Sequence, residues 1–221
     1  MSDLACYTDQ ASGGAVISRL ESVFDRVFVD EVQDLVGYDL DFLDLMFKSK
    51  VAVTVVGDPR QHTLATNQAA KNKKYRGAGL AAWLQERSSY CRREDRSVSA
   101  RCGQEICDFA SALFPGLPAL RAEDERETGH DGIHRIEPHE VHEYFDTHRP
   151  VVLRDSKRTP TLGYPAINIG VAKGSTFDRV LIFPTKPMKQ YLADGDLSKL
   201  KAPERLYVAV TRARHSATFV I

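Results

Sequence analysis

The chain has 221 residues, 43% of them apolar, enough to bury a core and to form one large or two small domains. Its 30 basic and 30 acidic residues cancel, so net charge advertises no nucleic-acid partner, although a local basic strip can still hold phosphates. The four cysteines form no CxxC pair, and the N-terminus carries no apolar stretch long enough for a signal peptide or a membrane span, a pattern that fits a reduced, cytoplasmic setting with no membrane partner.

The opening dozen residues are polar and small, and Gly13-Gly14 breaks any helix there, so the first predicted element is the short amphipathic helix AVISRLESV at 15–23. RVFVD at 26–30 and VAVTVVGD at 51–58 are β-rich and bounded by polar turns. Between them Leu40, Leu43 and Phe47 share one helical face, with Asp41 and Asp44 on the other. Strand, helix and strand in this order predict a β-α-β unit with parallel strands and a right-handed crossover. From about 77 to 112 the pattern is helical (GLAAWLQER, then GQEICDFASALF), interrupted by the polar CRREDRSVSAR, and FPGLP with RAEDERETG reads as a loop.

A lobe boundary is placed near residue 95. Beyond it, IHRI, the helix PHEVHEYFDTH, PVVLRD, INIGVA, RVLIFP and SATFVI read as strands alternating with helices, the signature of a second parallel-sheet lobe. The fold class is therefore α/β, with lobes over 1–95 and 96–221. No internal repeat and no low-complexity tract is present.

Chemistry concentrates at the ends of the first two predicted strands. Asp30 and Glu31 follow one, and GDPRQ follows the other. In a parallel sheet the loops at the carboxyl ends of strands are where ligands collect, so both acidic loops are expected to face one crevice. Asp30 can hold Mg²⁺ through water, Glu31 can orient and deprotonate an attacking water, and Gln61 can report on a γ-phosphate. Two acids after a strand also arise as a plain helix cap; the ordered pair of loops is the stronger signal, and it is the layout of a nucleotide-hydrolysing motor.

DEVQDL at 30–35, GDPRQ at 57–61, SARC with GQEICDFASALF at 99–114, VAKGSTFDRVLIF at 171–183 and ERLYVAVTRAR at 204–214 resemble, in order, motifs II to VI of the UvrD/Rep/PcrA-like superfamily 1 DNA helicases. That resemblance implies two RecA-like lobes, the first incomplete, that close around ATP and Mg²⁺ and step along single-stranded DNA. It implies Asp30 as the Mg²⁺ carboxylate, Glu31 as general base, Gln61 as γ-phosphate sensor, and Arg101 and Arg212 as arginine fingers. Permanently charged guanidinium forks suit the charge that builds on a transferred phosphoryl group. Asp58 and Gly174 are implied at the nucleotide, and Thr63, Lys71, Lys73, Lys74, Lys173 and Thr176 along the nucleic-acid strand. The strip KNKKYR interleaves cations with Tyr75, which suits phosphate contact plus base stacking; a solvated loop is the alternative. Two positions depart from the family pattern. Ala100 stands where an aromatic usually stacks on adenine, and HTLAT supplies Leu64 where aromatics usually stack on bases.

No GxxxxGK[ST] occurs in the chain. VAKGST imitates one, but Lys173 precedes Gly174, the wrong order for a Walker loop. Without the amide cradle and its lysine the β- and γ-phosphates lose their main anchor. The chain by itself is therefore expected to bind ATP and Mg²⁺ weakly and to hydrolyse negligibly, needing a missing N-terminal P-loop segment or a partner chain that carries one. The short stretch between motifs IV and V leaves no room for a large accessory domain. The expected function is the motif II to VI part of an ATP-dependent UvrD-like helicase or translocase. The alternative is a non-catalytic nucleic-acid- or protein-binding module on a degenerate helicase scaffold. The carboxylates beyond GDPRQ assemble no recognisable two-metal nuclease set.

Five histidines fall between 130 and 148 (His130, His134, His139, His142, His148). A zinc site would need a second close ligand pair, and none appears, so the cluster reads as a polar helix face. Cys102 and Cys107 read as small buried apolar residues.

Overall fold

The computed structural model describes residues 1–63, 70–123 and 127–221; Leu64 lies outside the described residues. The chain divides into two compact units, Met1–Asp95 and Arg96–Ile221.

Unit 1 opens with α1 (Ser2–Ala11) and α2 (Ala15–Val23), then β1 (Arg26–Val29), α3 (Tyr38–Phe47), β2 (Ala52–Val55) and the short α4 (Leu80–Gln85). β1 and β2 pair in parallel, Val27 opposite Val53 and Val29 opposite Val55. Those valines are half-buried while Arg26, Phe28, Ala52 and Thr54 are exposed, the period-2 alternation of a strand with one covered face. On α3, Leu40 and Leu43 are fully buried and join Val32, Tyr75, Leu80 and Trp83 in one core, against which Phe47 packs. The outward Asp44 binds Arg87 at 2.6 Å, and Asp41 binds Lys71 at 2.8 Å.

The first dozen residues depart from expectation, because they form a helix. Tertiary contact with α3 outweighs their polar composition: the Tyr7 and Tyr38 hydroxyls meet at 3.0 Å, and the Ser2 hydroxyl donates to Asp39. Gly13 and Gly14 do break the chain, both at positive φ, and Asp9 reaches over the break to accept from Ile17 N at 2.9 Å, satisfying one of the orphan amides at the start of α2.

Unit 2 runs β3 (Val98–Ser99), α5 (Gln104–Ala112), β4 (Arg121–Ala122), β5 (Gly132–Ile136), α6 (Val141–His148), β6 (Val151–Arg154), β7 (Ile167–Asn168), β8 (Phe177–Phe183), α7 (Lys186–Asp194), α8 (Pro203–Val210) and β9 (Ala213–Val220). β5, β9, β8, β6 and β7 form, in that order, one five-stranded sheet in which every pairing is parallel. Both of its faces are covered, as a parallel sheet requires. Leu153, Val180, Ile182, Ala217 and Phe219 pack on one side with Ile106 and Leu206, and Val152, Leu181, Phe183 and Val220 on the other with Val141 and Tyr144. This is the α/β, RecA-like class expected from the sequence.

Three local expectations are corrected. INIGVA yields only the two-residue β7, because Val171 N and Ala172 N both turn back to the Asn168 carbonyl. The polar interruption and the predicted loop after α5 each contain a short strand, and these pair with each other, Val98 opposite Arg121. KPMKQYLAD, given no element above, is α7, with Met188, Tyr191 and Leu192 buried.

Candidate functional site

In unit 1 the two acidic loops are stitched together just beyond the strand ends. Val56 N donates to Val29 O at 2.9 Å and Val32 N to Val56 O at 3.0 Å. Between them lies Gln33, only 1% exposed. Its Nε2 donates to the Glu31 carboxylate, and its Oε1 accepts from Asp58 N at 3.1 Å. Gly57 makes room for this bridge: a Cβ there would lie 2.3 Å from Gln33 Oε1. Asp58 in turn accepts from Arg60 N at 3.0 Å and from Gln61 Nε2 at 3.1 Å. Asp30, Glu31, Asp58 and Gln61 thus belong to one connected set.

Glu31 stands at the N-cap position of the turn Val32–Asp34, but neither Asp30 nor Glu31 caps it with a side chain. Asp30 Oδ1 accepts from Glu31 N at 2.7 Å, and the turn Val32–Asp34 has no side-chain cap. Glu31 sits at φ 53, a left-handed conformation that costs a non-glycine residue about 1–3 kcal/mol and clusters at functional positions. Asp58, by contrast, does cap the turn Pro59–Gln61, so it has a structural role in addition to any contact with a nucleotide.

Gln33 and His62 were given no role above. His62 Nδ1 lies 2.6 Å from Gln33 O and 3.8 Å from Asp34 Oδ1. The available signal was the amide-bearing Gln33 two residues past Glu31, facing a glycine on the neighbouring loop. Gln33→Leu is expected to destabilise unit 1 by about 1–3 kcal/mol, the cost of leaving buried polar partners unsatisfied, measured as a lower urea midpoint.

The other unit 1 positions divide. Thr63 N donates to Gln61 O at 2.8 Å, and its buried hydroxyl has no hydrogen-bond partner among the described residues. Lys71, Lys73 and Lys74 are exposed, but Lys71 is engaged by Asp41 and lies 4.7 Å from the Tyr38 ring centroid. Tyr75 corrects the stacking expectation. Its ring is in the core and its hydroxyl donates to Glu86 at 2.6 Å, so it offers no face to a base.

In unit 2 three motif segments converge on the Thr211–Arg212 pair. Arg101 Nη1 donates to Thr211 O at 3.3 Å, while Ser99 Oγ accepts from Arg101 N and Cys102 N. Arg212 is 1% exposed. Its guanidinium donates to Val208 O at 3.2 Å and to Ser175 O and Thr211 Oγ1 at 3.3 Å. Its carbonyl accepts from Phe177 N, which fastens the 171–177 turn to α8 and β9. At the tip of that turn Gly174 has φ +83 and open space where a Cβ would stand. Lys173 and Thr176 flank it, half-buried. Ala100 and Arg101 also line a polar cavity of about 1000 Å³ with Gln104, Arg121, Asp131, Arg214 and His215, and no Phe, Tyr or Trp stands among its described lining residues.

For a metal, no group of three or more His, Cys, Asp or Glu suited to holding an ion occurs among the described residues. Mg²⁺ makes a different demand: one or two carboxylates, with waters and substrate phosphates filling the remaining positions. Asp30, beside the Glu31–Gln33–Asp58 bridge, fits that requirement.

The model of the viral superfamily 1 RNA helicase core domain matches residues 15–221. The chain belongs to this family. The superfamily inferred from the motifs therefore holds, and the branch whose model matches is the viral RNA-helicase core. Among solved structures, this helicase domain is similar to the PRRSV helicase, with TM-score 0.52 and 23% identity over 87% of this chain and 34% of that one. Arterivirus nonstructural protein 10 (helicase) matches with TM-score 0.54 and 22% identity over 88% and 38%. The same helicase solved with DNA gives 0.54 and 21% over 89% and 39%. Likeness at such identities shows the fold alone, and the chain spans less than two fifths of the length of these helicases. No curated protein matches the helicase domain.

Proposed function

We propose that this chain is the motif II to VI part of an ATP-dependent superfamily 1 helicase or translocase, UvrD-like in motif order, that moves on single-stranded DNA or RNA in the cytoplasm. The observation that carries this reading is the Glu31–Gln33–Asp58–Gln61 network, which fixes a carboxylate and a carboxamide side by side beyond two parallel strands. Bound Mg²⁺ supplies neutralisation of the triphosphate charge. Asp30 holds the ion, and the Glu31 carboxylate takes the proton of the attacking water. Gln61, oriented by Asp58, reads whether the γ-phosphate is present. Arg101 and Arg212 contribute fixed positive charge for the transition state. Gly174 contacts the nucleotide, and Thr63, Lys71, Lys73, Lys74, Lys173 and Thr176 hold the nucleic-acid backbone, a hydroxyl or a cation to each phosphate.

A GxxxxGK[ST] loop has to come from another segment or another chain. Nucleic-acid-stimulated ATP hydrolysis is expected to be negligible for the chain alone and to appear when a P-loop segment is added, with single-stranded DNA and RNA compared as stimulators. Nucleic-acid binding without turnover in either preparation would favour the second reading, a non-catalytic module, which Ala100 in place of an aromatic in the cavity wall supports.

A further inference from the structure

Three of the five histidines left unused by the motifs form a stacked column in unit 2. The His130 ring lies between those of His134 and His148, with centroids 4.0 Å and 3.9 Å away and planes within 11° and 13° of parallel. Tyr144 joins the column to the sheet: its hydroxyl lies 2.9 Å from His130 Nε2 and 2.7 Å from Thr218 Oγ1. The column therefore ties the segment before β5 to β5 itself, to α6 and to β9. Arg179 of β8 adds a second tie, donating to Thr128 Oγ1 at 2.8 Å, and that hydroxyl donates to Asp131 Oδ1 at 2.9 Å. His215 Nδ1 of β9 lies 3.5 Å from the same carboxylate oxygen. Asp131, the residue after His130, lines the polar cavity that contains Arg101.

Face-to-face rings at this spacing accommodate neutral imidazoles, whereas a proton on the middle ring places a cation among groups that repel it. Burial comes first, then His134, His148 and Arg179, and together they push the His130 pKa down to about 4 against the opposing pull of Asp131. Burial, then Arg179 and His134, also lowers His148. The buried Nε2 of His134 has no hydrogen-bond partner among the described residues.

We propose that the His134–His130–His148 column is an acid-released latch, holding the 128–132 segment, and with it the Asp131 wall of the Arg101 cavity, while its rings are neutral. The folded pKa of His130 lies below its ordinary value of about 6.5. The latch is therefore fully engaged above about pH 6.5 and weakens as pH falls from there toward about 4. Within that window the unprotonated His130 imidazole makes opening about tenfold more favourable per pH unit of acidification.

The test is a ¹⁵N NMR titration of the imidazoles in the full chain, with amide-exchange protection factors for residues 128–134 at pH 7 and pH 5. The expected result is a His130 midpoint near 4 and a loss of protection of about tenfold or more in that segment, with β8 unchanged. His130→Phe keeps a ring in the column but takes up no proton, so its protection is expected to be flat with pH. A wild-type His130 midpoint near 6.5, or pH-independent protection of 128–134, overturns the latch; both are read on the wild-type chain even should the variant fail to fold.

Discussion

Glu31→Gln, made in a preparation supplied with a P-loop segment, is expected to lower nucleic-acid-stimulated ATP turnover by about 10²- to 10⁴-fold, the usual contribution of a general base. The size of the effect follows from how little else changes. Gln33 Nε2 donates to the Glu31 side chain, and a glutamine at position 31 still offers a carbonyl oxygen to that donor. The left-handed backbone at residue 31 and the link to Asp58 both persist, so the loss is that of a basic, charged oxygen facing the water. Nucleotide binding is expected to hold within a few-fold, because the substitution leaves Asp30 and the loop geometry in place. Turnover within threefold of wild type, measured by phosphate release at saturating ATP, would remove Glu31 from the mechanism.

Trp83→Ala is expected to destabilise unit 1 by about 3–5 kcal/mol, the range for deleting a large buried aromatic. Trp83 is 1% exposed. Its ring lies 6.0 Å from Phe47, and the Arg87 guanidinium sits 3.7 Å from its centroid. Arg87 also donates to Trp83 O at 2.8 Å and to Asp44 Oδ1 at 2.6 Å. Removing the indole therefore opens a cavity and also frees the cation that ties α4 to α3. A domain of this size has a total stability of about 5–15 kcal/mol, so the change consumes a large share of it. Hydrogen exchange should show β1, α3 and β2 losing protection while β8 and β9 keep theirs. A loss below about 1 kcal/mol would mean that the site collapses around the gap, contrary to the packing described.

The parts of the fold that were legible share a physical cause. β1, α3 and β2 carry their burial in local periodicity, alternate valines on the strands and Leu40 with Leu43 on the helix. The strands of unit 2 read as apolar runs because both faces of that sheet are covered. The helix α1 was illegible for the converse reason: its support comes from Tyr38 and Asp39 on another element. The two-residue strands β3 and β4 lie in polar sequence and exist through their pairing with each other. Tyr75 looked like a base-stacking ring beside lysines, and only the position of the core against it shows that its face is occupied.

The site divides in the same way. Sequence by itself determined the order of the motifs and the candidates for the chemistry, because DEVQD, GDPRQ and the TRAR segment are contiguous and their side-chain types are restricted by what phosphates and water demand. It also determined the helicase superfamily. Tertiary structure alone decided that Gln33 bridges Glu31 to Asp58, that Arg212 is held by the Val208 and Ser175 carbonyls, and that three histidines stack instead of lining a helix face. Each of those depends on groups far apart in the chain meeting within hydrogen-bonding or van der Waals range. Such meetings are set by how strands register and helices pack, and no short stretch of sequence encodes them.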